Sequence, residues 1–235
     1  MKEEVQRFAG KKILAVEGNT KTIDKEILLY KKIFEFKSWG KHFLICFKGF
    51  TVRTHFLLFG SCAVATPKDR QPRLHLRFTN GDLFFYSCSV KMLEGDINDH
   101  YDWSGDVMNL AWDKKKAKVK IKAHPDMMVC DTLLHQDIFA GVGNIIKNEV
   151  LYRIRVHPES INKKLTEYKL NNLIKEARQY SFDFLAWKRK FVLKKHWLAH
   201  TKKICIRCKG PIVRKITGKF ERRSFFCPHC QPLYS

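Results

Sequence analysis

The 235-residue chain carries 45 lysines and arginines against 23 aspartates and glutamates, a formal net charge of +22 with a pI near 9.8. That surplus points to a polyanionic partner, nucleic acid ahead of a membrane surface. Its clustering argues against a merely basic soluble protein, since Lys188–Arg223 holds fourteen basic residues and one acid, Glu221. With 45% hydrophobic and 13% aromatic residues there is material for real cores, while no apolar run approaches a membrane span and no signal-peptide pattern opens the sequence.

The first residues, MKEEVQRFAGKKI, predict a short amphipathic helix closed by Gly10, with Val5 and Phe8 on one face. Only about two turns fit, which is marginal even with packing support, and no capping residue precedes Lys2. From Lys12 to about Lys122 the periodicity is that of strands: KILAVEGN, KIFEFKSW, HFLICFKGFTVRTHFLLFGSCAVA, LHLRFTNGDLFFYSCSVKML and KAKVKIKA. Asn80-Gly81 between apolar runs is a hairpin signal, and many short strands with regular turns predict a β-sandwich or barrel.

Residues from about 124 to 195 turn helical, with Leu170, Leu173, Ile174, Ala177 and Tyr180 forming an apolar stripe read as core. Within this region Gly141-Val142-Gly143-Asn144 opens a helical run marked by Ile145, Val150, Leu151 and Ile154. Glycines allow close backbone approach, and an Asn144 N-cap would present unpaired N–H groups suited to a phosphate; an ordinary tight turn is the competing reading.

The strongest chemical signal lies at the end. Cys205-x-x-Cys208 and Cys227-x-x-Cys230, eighteen residues apart, have the spacing of a closed four-thiolate structural Zn²⁺ site tying a strand-like hairpin at its base. A pair of disulfides or a coincidence of spacing is the alternative, and His229 between two ligands reads as a bystander. The other cysteines (Cys46, Cys62, Cys88, Cys130) are scattered in apolar segments, so a reducing, cytoplasmic setting is expected.

The stretch LLHQDIFAGVGNIIKNEVLYRIRVHP resembles the helix–two-turns–helix signature of the formamidopyrimidine-DNA glycosylase and endonuclease VIII family, through Leu134, Gln136, Gly141, Gly143, Asn144, Glu149, His157 and Pro158. His135 departs from it, standing where the family usually has aspartate. The cysteine hairpin resembles the family's zinc finger, in which an arginine precedes the third cysteine by five residues; Arg222 holds that place. A guanidinium there makes a bidentate phosphate clamp, where a solvated turn charge would otherwise be the reading. Trp39-Gly40-Lys41-His42 is similar to the segment whose lysine reaches the DNA backbone, so the resemblance implies that role for Lys41, otherwise a surface charge. It also implies that Leu57, Leu58 and Phe59 form a wedge filling the gap left by a flipped base, although Leu-Leu-Phe alone reads as a buried strand.

The family's nucleophile is an N-terminal proline followed by glutamate. This sequence begins Met1-Lys2-Glu3-Glu4, and counting back from Gly10-Lys11-Lys12-Ile13 it is shorter than its relatives by roughly two or three helical turns. The expectation is a truncated version of a longer protein, with Glu3 and Glu4 in the helix; service by Lys2 or the Met1 amine ranks below it.

The resemblance therefore implies an α+β multidomain chain: a β-sandwich at 1–122, a helix–two-turns–helix domain at 123–198 and a zinc-finger hairpin at 199–235. The implied function is a monomeric glycosylase and abasic-site lyase that acts on oxidised bases in DNA. A non-catalytic binder of damaged or abasic DNA is the alternative, and a zinc-ribbon RNA- or ribosome-associated protein would explain charge and cysteines but not Gly141–Asn144.

Overall fold

The computed structural model describes residues 2–57 and 59–235, the side chains of Lys2 and Glu3 excepted. The expectations for the Met1 amine, the Lys2 and Glu3 side chains and Leu58 lie outside the described residues. Two compact units are formed, one ending at Asp102 and the other running Trp103–Ser235.

In the first unit a short helix, α1 (Lys2–Val5), leads through a 3-10 turn to Gly10 at φ +75°, with Val5 and Phe8 fully buried as their spacing predicts. Eight strands follow: β1 (Ala15–Glu17), β2 (Glu35–Trp39), β3 (His42–Cys46), β4 (Phe50–His55), β5 (Ser61–Val64), β6 (Leu74–Phe78), β7 (Gly81–Tyr86) and β8 (Ser89–Glu94), then a short helix α2 (Ile97–His100). They form two antiparallel four-stranded sheets, ordered β1-β6-β7-β5 and β2-β3-β4-β8. Alternation puts Phe36, Phe43, Ile45, Val52 and Val90 of one sheet into the same core as Leu74, Leu76, Phe78, Leu83 and Phe85 of the other. This is the expected sandwich. The Asn80-Gly81 hairpin forms too, Phe78 pairing with Gly81.

The second unit holds α3 (Lys114–Lys122), α4 (Val129–Leu134), α5 (Asn144–Ile154), α6 (Glu167–Arg189) and an antiparallel hairpin of β9 (Val213–Thr217) and β10 (Arg222–Phe226). One expectation is corrected here: KAKVKIKA is the helix α3, not a strand. Asp113 caps it, its carboxylate accepting from Lys115 and Lys116 N–H, and only Ala117 and Ile121, four residues apart, are buried. Val119, which alternation would turn inward, is 68% exposed. The α6 stripe is buried as predicted, joining Val129, Leu133, Val142 and Val150 in the helical core.

A smaller cluster (Tyr152, Ala199, Cys205, Ile212, Phe225, Cys227) packs the hairpin onto α5, which makes helices and hairpin one unit. No helix among the described residues is long and apolar enough to cross a membrane.

Candidate functional site

The turn before α5 is built by one side chain. Gln136 donates from Nε2 to the carbonyls of Leu134 (2.8 Å) and Val142 (3.2 Å), and its Oε1 accepts from Gly141 N–H at 3.2 Å. Gly141 sits at φ +98°, where L side chains are strained, whereas Gly143 is extended in a form any residue adopts. The expected cap is corrected: Gly143 occupies the N-cap position, Asn144 is the first helical residue, and no side chain caps the helix. The Asn144 amide instead donates from Nδ2 to the Arg223 carbonyl of β10 at 3.0 Å.

That carbonyl is a junction. Lys147 Nζ (3.4 Å) and Asn148 Nδ2 (3.4 Å) also point to it, so three residues on one face of α5 hold one peptide of the strand. Phe225 N–H returns a bond to Asn148 Oδ1 at 3.3 Å. At the hairpin tip the buried Asp131 carboxylate of α4 accepts from Lys219 N–H (2.8 Å) and Phe220 N–H (3.1 Å). Gly218, at φ +71°, is required there because a Cβ would collide with that carboxylate. The exposed Arg222, first residue of β10, is therefore carried on a strand fixed at its tip by α4 and along its length by α5.

The base of the hairpin is equally tied down. Tyr152 OH lies 3.1 Å from Cys205 Sγ, Arg207 donates to the Tyr152 carbonyl at 2.8 Å, and Gln231 donates to the Val156 carbonyl at 2.8 Å while accepting from Cys227 N–H. Glu149 is fully buried and accepts from the N–H groups of Leu198, Ala199 and His200, at 2.8, 2.9 and 2.8 Å. Cys205, Cys208, Cys227 and Cys230 place their sulfurs within 4.8 Å of one another, positioned to bind a metal ion. All eight cysteines are free, which sets the disulfide alternative aside, and His229 lies outside the cluster. Burial pushes the thiols of Cys62 up to about 12 and of Cys88 and Cys130 up to about 11, so these stay protonated and inert.

The formamidopyrimidine-DNA glycosylase H2TH domain matches residues 108–180, the segment containing the Gln136 turn and α5. Endonuclease 8-like 2 of Mus musculus is 34% identical over 175 residues, covering 72% of this chain and 50% of the relative. The chain belongs to the formamidopyrimidine-DNA glycosylase/endonuclease VIII family. Mouse endonuclease 8-like 3 is 29% identical over 202 residues, 82% of this chain and 33% of the relative, so the chain spans a third to a half of these relatives' lengths. The fold agrees with Lactococcus lactis formamidopyrimidine-DNA glycosylase bound to abasic-site DNA (TM-score 0.84, 21% identity, 98% and 96% of the two chains). A viral DNA glycosylase superposes similarly, with a TM-score of 0.82 at 21% identity over 98% and 96% of the chains.

In this glycosylase-family chain the remaining candidates belong to the first unit. Lys41 is exposed in the two-residue turn between β2 and β3, where Trp39 pairs with His42. Burial, then the charges of Arg53, His55 and Lys41, hold His42 down at about 4. The ring is therefore neutral at physiological pH, with Nδ1 3.1 Å from Tyr101 OH. His42 pairs with His55 across β3 and β4, so the Lys41 turn and the turn holding Leu57 and Phe59 lie at the same end of one sheet. The buried-strand reading of Leu57 and Phe59 gives way: they sit in a turn after β4, 65% and 78% exposed, beside an open cleft of about 580 Å³ that Arg73 and Ser87 also line. Lys147, Asn148 and Asp131 had no signal in the sequence, because charged or amide residues on a helix read as surface until the strand they hold is known.

Proposed function

We propose that this chain acts on DNA as a glycosylase with abasic-site lyase activity toward oxidised bases, in base-excision repair. The observation that carries the reading is the α5–β10 junction, which presents Asn144 and Arg222 on one rigid frame inside a family whose solved relatives are held on abasic-site and formamidopyrimidine-containing DNA. Asn144, the uncapped N–H groups of α5 behind the Gly141 and Gly143 turn, and the Arg222 guanidinium contact backbone phosphates. Lys41 makes a further backbone contact. Leu57 and Phe59, with Leu58 between them, are the apolar wedge that replaces an extruded base.

One Zn²⁺ ion serves the four cysteines structurally. The observed Sγ separations, 3.4 Å for Cys208–Cys227 and 3.9 Å for Cys205–Cys230, bracket the about 3.8 Å edge of a tetrahedron with 2.3 Å zinc–sulfur bonds. Four thiolates leave no open coordination position, so zinc holds the hairpin and takes no part in chemistry. The chain works as a monomer in a reducing, cytoplasmic compartment, consistent with eight free cysteines.

The lyase step requires an amine that adds to C1′ of the damaged nucleotide, displaces the base and leaves a Schiff base, after which elimination breaks the 3′ C–O bond. Incubating the chain, and a version extended upstream, with abasic-site duplex and borohydride converts any such Schiff base to a permanent cross-link. Cross-linking by either supports the enzyme; cross-linking by neither, with tight binding retained, leaves the non-catalytic damaged-DNA binder. Preferential binding to undamaged single-stranded RNA would defeat both.

Arg222→Ala is expected to weaken abasic-site duplex binding about 10- to 100-fold, the value of charge-assisted hydrogen bonds worth about 1.5–3 kcal/mol, with zinc content and melting unchanged. Loss of zinc in that variant would make Arg222 structural.

A further inference from the structure

Lys147 of α5, unlike the exposed Arg222 of the strand it holds, faces neither solvent nor the cysteine cluster. It is wholly buried, and its ammonium donates to Ser224 Oγ at 2.8 Å and toward the Arg223 carbonyl at 3.4 Å. Ser224 is itself buried and shares a 2.6 Å bond with Thr217 Oγ1, so the chain Lys147–Ser224–Thr217 crosses both strands of the hairpin just below Arg222. Among the described residues no carboxylate lies within ion-pair distance of Lys147. The Asp131 carboxylate, which acts on it from further off, is already bonded to Lys219 and Phe220 N–H. A methionine would fill similar space without placing an unpaired charge in the interior. Burial also denies Lys147 any contact with a substrate, so whatever it does is done through β10.

We propose that Lys147 is a positioning residue for the backbone-binding edge: its ammonium clamps the Arg222–Ser224 segment to α5, fixing Arg222 relative to the Asn144 turn, and its charge is reinforced when a phosphate occupies Arg222. This rests on the DNA-backbone role given above to Arg222. Among the described residues, the charged or titratable groups that act on Lys147 or are acted on by it are Cys130 and Asp131 from α4, Arg222 from β10, and His200, which burial and then Lys147 hold down at about 4 and hence neutral. Burial lowers the Lys147 ammonium to about 8, with Arg222 pushing the same way against the opposing pull of Cys130 and Asp131. An anion on Arg222 cancels that push and raises Lys147, so binding takes up a proton. Affinity is then greatest below about pH 8 and falls as pH rises through it.

The test uses the full zinc-loaded chain and a duplex containing a tetrahydrofuran abasic analogue, read by anisotropy between pH 6.5 and 9.5. Wild type should lose several-fold in affinity between pH 7 and 9. Lys147→Met should bind at least tenfold more weakly at pH 7, with that pH dependence gone, while zinc content and melting stay close to wild type; Lys147→Arg, charged throughout, should recover affinity with a flat profile. Should Lys147→Met fail to fold, Ser224→Ala removes the acceptor instead and should weaken binding in the same direction. A folded Lys147→Met that binds with wild-type affinity and pH profile overturns the proposal.

A second arm needs no DNA. Nitrogen-15 spectra of the lysine side chains should show Lys147 titrating near 8, and higher in Arg222→Ala; a titration insensitive to Arg222 overturns the proposal. If wild type fails to prefer abasic-site duplex, the repair reading falls on that result alone, and the second arm still decides Lys147.

Discussion

With zinc on the four cysteines and abasic-site DNA as the ligand, as proposed, Cys227→Ser is expected to release the metal, free the β9–β10 hairpin from its base and reduce that binding to the level of an unspecific polycation. Structural zinc in small fingers contributes roughly 10–16 kcal/mol of apparent binding free energy, comparable with the whole stability of an ordinary domain at about 5–15 kcal/mol. Two of the four sulfurs, Cys205 and Cys227, are buried in the cluster that docks the hairpin on Tyr152 and Ala199, so losing the ion also loosens that packing. The helices have their own core, from Val129 through Tyr180, and are expected to survive. Far-UV circular dichroism should therefore keep its helical signal while amide exchange across Val213–Phe226 becomes fast. A Cys227→Ser protein that keeps one equivalent of zinc and slow exchange there would show that the cysteines do not hold the hairpin together.

Much of this was legible in the sequence because it is periodic or fixed by spacing. Two Cys-x-x-Cys pairs can serve few purposes, Phe43 and Ile45 alternate as sandwich strands do, and Leu170–Tyr180 repeats at helical steps. The Lys116–Ala123 stretch misled for a physical reason: lysine at every second position imitates a half-buried strand, yet lysine is a good helix former and Asp113 supplies a cap, so two small contacts at Ala117 and Ile121 suffice. Asn144 misled because its amide had two possible uses, and the partner that decided between them, the Arg223 carbonyl, is 79 positions away. The buried ions Asp131, Lys147 and Glu149 share that difficulty. Composition assigns a charge to the surface, and only the assembled unit shows that each is matched to backbone groups or a hydroxyl of a distant segment.

Glu149 is where this matching is most complete, and its replacement should be the most damaging single change to the second unit outside the metal cluster. One oxygen accepts from Leu198 N–H and the other from both Ala199 and His200 N–H, so three consecutive backbone donors in the connection entering the hairpin end on one carboxylate of α5. Such a nest of N–H groups resembles the open end of a helix and favours a fixed negative charge. Glu149→Ala leaves all three donors buried or half-buried without an acceptor. At about 1–3 kcal/mol for each unmet group, partly relieved by entering water, the loss should be on the order of 3–5 kcal/mol. For a unit of this size that corresponds to a fall in melting temperature of roughly 10 °C or more. Glu149→Gln keeps one acceptor oxygen but turns an NH₂ toward N–H groups, so it should fall between wild type and alanine. Because Ala199 also packs beside Cys205, zinc retention should weaken in parallel in Glu149→Ala. An unchanged melt for Glu149→Ala would mean that the Leu198–His200 turn holds its shape without the carboxylate, and that the remaining ties between α5 and the hairpin, the Arg223 junction, the Tyr152 bonds with Cys205 and Arg207 and the apolar packing, suffice.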